Sequence, residues 1–83
     1  MSVIHPGLFL IMQRFPSQKD NLRRLYRNCP SFHTLCDDYQ RCTDALAHWI
    51  RSRHDKAQER SREYLELRQS LECEIKECIG TMR

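Results

Sequence analysis

Residues 30–50 read PSFHTLCDDYQRCTDALAHWI, and this stretch decides the fold. Phe32, Leu35, Tyr39, Cys42, Leu46 and Trp49 follow one another in steps of three, four, three, four and three. That alternation is the a/d recurrence of a coiled-coil seam. Pro30 has a fixed φ and no amide hydrogen to lose, so it suits the first position of a helix and sets its start. The spacing predicts a helix over residues 30–51.

Downstream, Ala57, Tyr64, Leu67, Leu71, Ile75 and Cys78 again recur at helical spacing, and Gly80 supplies a stop. A helix over 55–79 follows. The two seams are out of phase. Continuing the first heptad places Arg53, Lys56, Arg60 and Glu63 on the stripe, all of them charged. One continuous rod and a hairpin turning near Arg51 to Asp55 are the two arrangements open to such a chain. The phase break favours the hairpin, because a turn lets both seams face each other. That pairing sets Trp49 by Ala57, Cys42 by Tyr64, Leu35 by Leu71, Phe32 by Ile75 and Cys29 by Cys78. Ser52 with Asp55, or Asp55 with Gln58, would cap the restarted helix; that the turn holds neither Gly nor Pro counts against the hairpin.

Upstream, Ser17 followed by Asp20 reads as a capping box that opens a short helix over 18–27. Leu22, Leu25 and Tyr26 lie on one side of it, with Arg23, Arg24 and Arg27 on the other, and Asn28-Cys29-Pro30 ends it. Residues 1–16 read as a flexible apolar tail without helical or strand period, and Met12 offers an alternative start to Met1. The apolar run Gly7 to Met12 is far shorter than the roughly 20 residues that span a bilayer. No Lys or Arg precedes it, as a signal peptide would require. A cytoplasmic protein without membrane association is expected.

Composition agrees with this reading. The chain has 83 residues, 40% hydrophobic and 30% charged, with only two glycines and three prolines. That excludes an enzyme-sized α/β core and argues against a turn-rich β fold. The expected class is all-α: an antiparallel, coiled-coil-like hairpin preceded by a short N-terminal helix. One narrow seam buries little, so a homodimer forming a four-helix bundle is expected, with Cys36, Ile50, Leu65 and Ile79 covered at its flanks.

The five cysteines are odd in number and form no C-x-x-C pair, so they read as reduced thiols. Cys29, His33 and Cys36 are spaced to share a helix face, with Cys78 opposite, and are the candidate metal ligands. The bland alternative is that these cysteines act as small hydrophobes while His33 lies on the surface, which leaves no metal or other cofactor. Arg51, Arg53, Lys56, Arg60 and Arg62 gather near the turn and form the candidate phosphate-binding set. Without interleaved aromatic residues they read first as a solvated charged face, like the Glu72–Lys76 pair at one-turn spacing. Asp37, Asp38 and Asp44 project outward, and no nucleophile, triad or phosphate loop is present, so no catalytic residue is assigned.

Cys29-Pro30-Ser31-Phe32-His33-Thr34-Leu35, then Tyr39, then Leu71-Glu72-Cys73-Glu74-Ile75, resemble the small bacterial YdcH-like proteins. These open on Asn/Asp-Pro-x-Phe-x-x-Leu and close on Leu-Lys-Asp-Glu-hydrophobic. The resemblance covers about residues 17 to 79 and implies a bacterial α-helical hairpin of uncharacterised function and without enzymatic activity, in which Pro30, Phe32, Leu35, Leu71 and Ile75 are structural. Cys29 stands where the family has Asn or Asp, and Glu72 and Cys73 stand where it has Lys and Asp. The expected function is a protein–protein interaction module whose partner is a second copy or another helical protein. The alternative is an accessory nucleic-acid binder that uses the basic turn.

Overall fold

Pro30 opens the longest uninterrupted seam of the chain, and the helix it starts is the member on which the others pack. In a computed structural model that describes residues 5–81, the elements follow as α1 (Pro6–Arg14), a 3-10 turn (Pro16–Gln18), α2 (Lys19–Asn28), α3 (Pro30–Arg51) and α4 (Ala57–Gly80). Among the described residues every regular element is helical, which makes the protein all-α. Cys29 is extended, as the residue before a proline must be, and serves α2 as its C-cap and α3 as its N-cap.

The broadest contact in the fold joins α3 and α4. The Tyr39 hydroxyl reaches the Glu72 carboxylate at 2.8 Å, and the Cys42 thiol reaches the Tyr64 carbonyl at 3.1 Å. Rising numbers on one helix meet falling numbers on the other, so the two are antiparallel. Ser52–Lys56 connects them without a positive φ, which is why neither Gly nor Asn is needed there. Ser52 Oγ accepts from the His54 amide and His54 Nδ1 from the Lys56 amide. The turn is therefore held by Ser52 and His54 rather than by Asp55, and α4 begins at Ala57, not at residue 55.

Several expectations need correction. The largest concerns the supposed tail 1–16. Residues 1–4 lie outside the described residues, but Pro6–Arg14 is a helix that buries Gly7, Leu8, Ile11 and Met12 in the core. Those four sit at i, i+1, i+4 and i+5, a helical face. Phe9 and Leu10 hid the period because they are apolar too, yet Phe9 is 50% exposed. Met12 belongs to the middle of this packed helix rather than lying ahead of the ordered chain. The capping box is also absent: Ser17 falls in the 3-10 turn, and α2 starts after Gln18 without a side-chain cap bond. Leu67 is 48% exposed rather than closed in the seam. Cys36, expected at a dimer flank, is fully buried within the single chain.

The reason for this last change is α1, which crosses α3 at Gly7. A Cβ on Gly7 would stand 2.7 Å from the Cys36 carbonyl carbon, and its carbonyl oxygen would be closer still. Only a residue without a side chain lets the two backbones approach so nearly. His5 caps α1, accepting from the Gly7 amide at 2.9 Å through Nδ1 while Nε2 lies 2.6 Å from Asp37 of α3.

Replacement of a helical glycine by alanine ordinarily stabilises a helix by about 0.5–1 kcal/mol. Here the sign reverses. Gly7→Ala is expected to destabilise the fold by about 1–3 kcal/mol through overpacking against backbone, measured by chemical denaturation. A neutral or stabilising outcome would mean that α1 does not lie on α3 at this point.

Candidate functional site

The α3/α4 pair has two faces, and α1 with α2 covers only one. On the covered face α1 supplies Leu10, Gln13 and Arg14 beside Tyr39 and Thr43 of α3, with Leu65, Arg68, Gln69 and Glu72 of α4. Glu72 is just 9% exposed. It accepts from Arg14 Nε at 3.1 Å and from the Tyr39 hydroxyl at 2.8 Å. A buried carboxylate requires such partners. The cluster joins three helices at one point and replaces the expected Glu72–Lys76 surface pair. Nothing in the local sequence signals it, because Arg14 and Glu72 are 58 residues apart.

The opposite face stays open. One section of groove, of about 440 Å³, is lined by Asp38, Arg41, Cys42, Ala45, Tyr64, Leu67 and Leu71. A second, of about 590 Å³, is lined by Ser31, Thr34, Leu35, Asp38, Glu74, Glu77, Cys78 and Thr81. They share Asp38 of α3. Neither α1 nor α2 lines either section. Leu35, Cys42, Tyr64, Leu67, Leu71 and Cys78 were all expected in a seam. Cys42 and Leu71 are buried in the core and Leu35, Tyr64 and Cys78 pack on it, so of the six only Leu67 stands largely exposed, although all of them border the groove.

The remaining seam positions are distributed differently. Phe32, Tyr39, Leu46 and Ile75 are buried, whereas Trp49 and Ala57 are half-buried. Trp49 sits edge-on to His48 and His54, with ring centroids 5.3 and 6.0 Å away. Charges rim the groove: Asp38, Glu74 and Glu77 against Arg41. Among the described residues none of the four forms an ion pair. Ile50 and Leu65, expected at a dimer flank, are 66% and 39% exposed near the turn end, while Ile79 packs on the core.

The candidate metal ligands do not assemble. His33 Nε2 meets the Tyr26 carbonyl at 2.7 Å, and its ring stacks on Tyr26 at 4.0 Å. Cys36 is sealed under α1. Cys29 bonds Ser31, and Cys78 stands at the open end of the groove. Among the described residues no three His, Cys, Asp or Glu side chains are placed to hold a metal.

The basic set is likewise divided. Arg60 pairs with Glu63 at 2.8 Å, and Arg62 lines a groove with Asp55, Glu59, Glu63 and Glu66. Arg51 turns its Nε back to the Ala47 carbonyl, and with Arg53 and Lys56 it stays exposed. Among the described residues no helix is long and apolar enough to cross a membrane. Compared with protein-family models, curated proteins and solved structures, the chain matches none.

Two buried groups make the fold sensitive to alkali. Burial, then the bond to Glu72, pushes the Tyr39 phenol up to about 12 from 10.0. Burial, then the Asp37 charge, pushes the Cys36 thiol up to about 12 from 9.0. Both keep their protons in the fold where the unfolded chain has lost them. A folded pKa above the unfolded one contributes stability that is complete below the unfolded value and lost as pH climbs to the folded one. Denaturation midpoints are expected to hold steady up to about pH 9 and then fall toward pH 12. Tyr39→Phe should cost about 1–2 kcal/mol at neutral pH and remove part of the slope above pH 10. A wild-type profile that stays flat through pH 11 would contradict the burial of both groups.

Proposed function

We propose that this chain is a non-catalytic helical-hairpin interaction module that pairs with a second copy of itself through the α3/α4 groove, giving a four-helix core. The observation that carries the reading is the groove itself. Leu67 and its apolar neighbours Ala45, Tyr64 and Leu71 line a groove section that includes no residue of α1 or α2. Helical pairs bury such stripes against other helices.

Charge supports a second copy in one orientation. Acidic groups cluster at the open end, where Asp38, Glu74 and Glu77 rim the groove. Exposed Arg51, Arg53 and Lys56 stand at the turn end. A twofold axis lying across the groove swaps the two ends, so each acidic rim meets the other copy's basic turn. A twofold parallel to the helices would set acid against acid. The kinship with YdcH-like proteins is part of the same proposal, resting on the Pro30, Phe32, Leu35, Leu71 and Ile75 spacing.

Sedimentation equilibrium tests it. The wild type is expected to dimerise with a Kd of about 10 µM or tighter. Leu67→Glu should shift the population to monomer with helical content unchanged, because that side chain is half in solvent already. Lys56→Glu should weaken the dimer more at low salt than at high salt. Three results would overturn the reading: a wild-type monomer at about 100 µM, a dimer indifferent to Leu67→Glu, or assembly only with a different helical protein. Affinity for duplex DNA that falls steeply with salt and is lost with Arg51, Arg53 and Lys56 would move the function to the basic turn.

A further inference from the structure

We propose that the notch between α1, α3 and α4 is a binding site for a small organic anion, whose carboxylate or phosphate head meets Arg68 and Arg14 while its apolar body rests on Leu10 and Leu65. The notch has a volume of about 410 Å³, and all three helices wall it: α1 with Leu10 and Arg14, α3 with Thr43, α4 with Leu65 and Arg68. Sites for small molecules have volumes of about 300–1,000 Å³ and a few convergent polar groups. The notch shares no lining residue with either section of the groove assigned to a second copy, so it does not rest on that reading.

Donors in the notch outnumber the acceptors offered to them. Among the described residues two arginines are half-buried, Arg60 and Arg68. Arg60 pairs with Glu63 at 2.8 Å, whereas Arg68 forms no ion pair. Its charge reaches inward over α3: burial raises the Tyr39 phenol and the Cys42 thiol, and the Arg68 guanidinium opposes both shifts. The Thr43 hydroxyl is buried without a hydrogen-bond partner. A helical threonine commonly returns that hydroxyl to the carbonyl one turn earlier, and Thr43 does not. Arg14 gives its Nε to Glu72 and keeps its two terminal nitrogens for another acceptor.

The sign of the ligand follows from the charges. Two guanidiniums line the notch against one carboxylate, Glu72, which Arg14 and Tyr39 already engage. The other surfaces differ. The open groove end carries Asp38, Glu74 and Glu77 without a base, and the notch near the turn sets Asp55, Glu59, Glu63 and Glu66 against Arg62 alone. Both would repel an anion. Guanidinium forks match the oxygens of carboxylates and phosphates, and an unmet buried hydroxyl gains a full hydrogen bond from an acceptor brought to it. Leu10 is half-buried and Leu65 is 39% exposed, so an anion with an apolar body covers surface that a bare ion would leave in water.

The test titrates the full chain with benzoate and, separately, with phenyl phosphate at constant ionic strength, followed by amide NMR shifts. Resonances of the residues that wall the notch are expected to move saturably, with a Kd of about 1 mM or tighter. The tighter of the two probes names the head group. Arg68→Gln should weaken binding by about tenfold or more. Arg24→Gln, which removes the same charge from an exposed position on α2, should leave it unchanged. Thr43→Val should have opposed effects: the free protein melts about 2–4 °C higher once the unmet hydroxyl is gone, while affinity falls about threefold. Failure of both probes to saturate overturns the proposal. So does equal weakening by Arg68→Gln and Arg24→Gln, or a Thr43→Val protein that binds as tightly as the wild type.

Discussion

The contact on which the rest depends is the seating of α1 across α3. Gly7 lies so close to the Cys36 carbonyl that no side chain fits between them. Polar pairs hold the helix at each end, His5 with Asp37 at its start and Arg14 with Glu72 at its finish. Leu8, Ile11 and Met12 fill the space between. A narrow two-helix seam becomes a core with a third wall, and the chain closes one side of its hairpin from its own sequence. The other side stays open.

The polar cluster decides more than strength. A buried carboxylate bound by both a phenol and a guanidinium is costly unless all three groups are in place. Tyr39 with Glu72 fixes how far α4 slides along α3, and Arg14 fixes where α1 ends over both. Apolar stripes alone tolerate shifts of register, whereas this arrangement of donors and acceptor admits one. The groove on the far face inherits its alignment from that choice, including the level at which Cys42 meets Tyr64.

The same asymmetry separates the cysteines. Thiols on the α1 side or between the long helices are sealed and hard to ionise. Those at the open end keep access to solvent, and one of them sits on a helix N-terminus. Five residues of one type thus acquire different chemistry from position alone, since thiol reactivity follows stabilisation of the thiolate.

By itself the sequence determined the all-α class, the extents of the two long helices to within two residues at either end, and the break between their seams. Periodicity, Pro30 and a charged gap are local signals, and local signals survive in a linear reading. Only the tertiary structure decided that Pro6–Arg14 is a packed helix, because an element apolar on most sides shows no period until one face is buried. Tertiary structure also decided that Leu67 faces an open groove, that Cys36 is sealed by Gly7, and that Glu72 turns inward to Arg14 and Tyr39. Each of those depends on a group more than 25 residues away in the chain. The spacing of one helix says which residues share a stripe. What covers that stripe is set by the packing of the others.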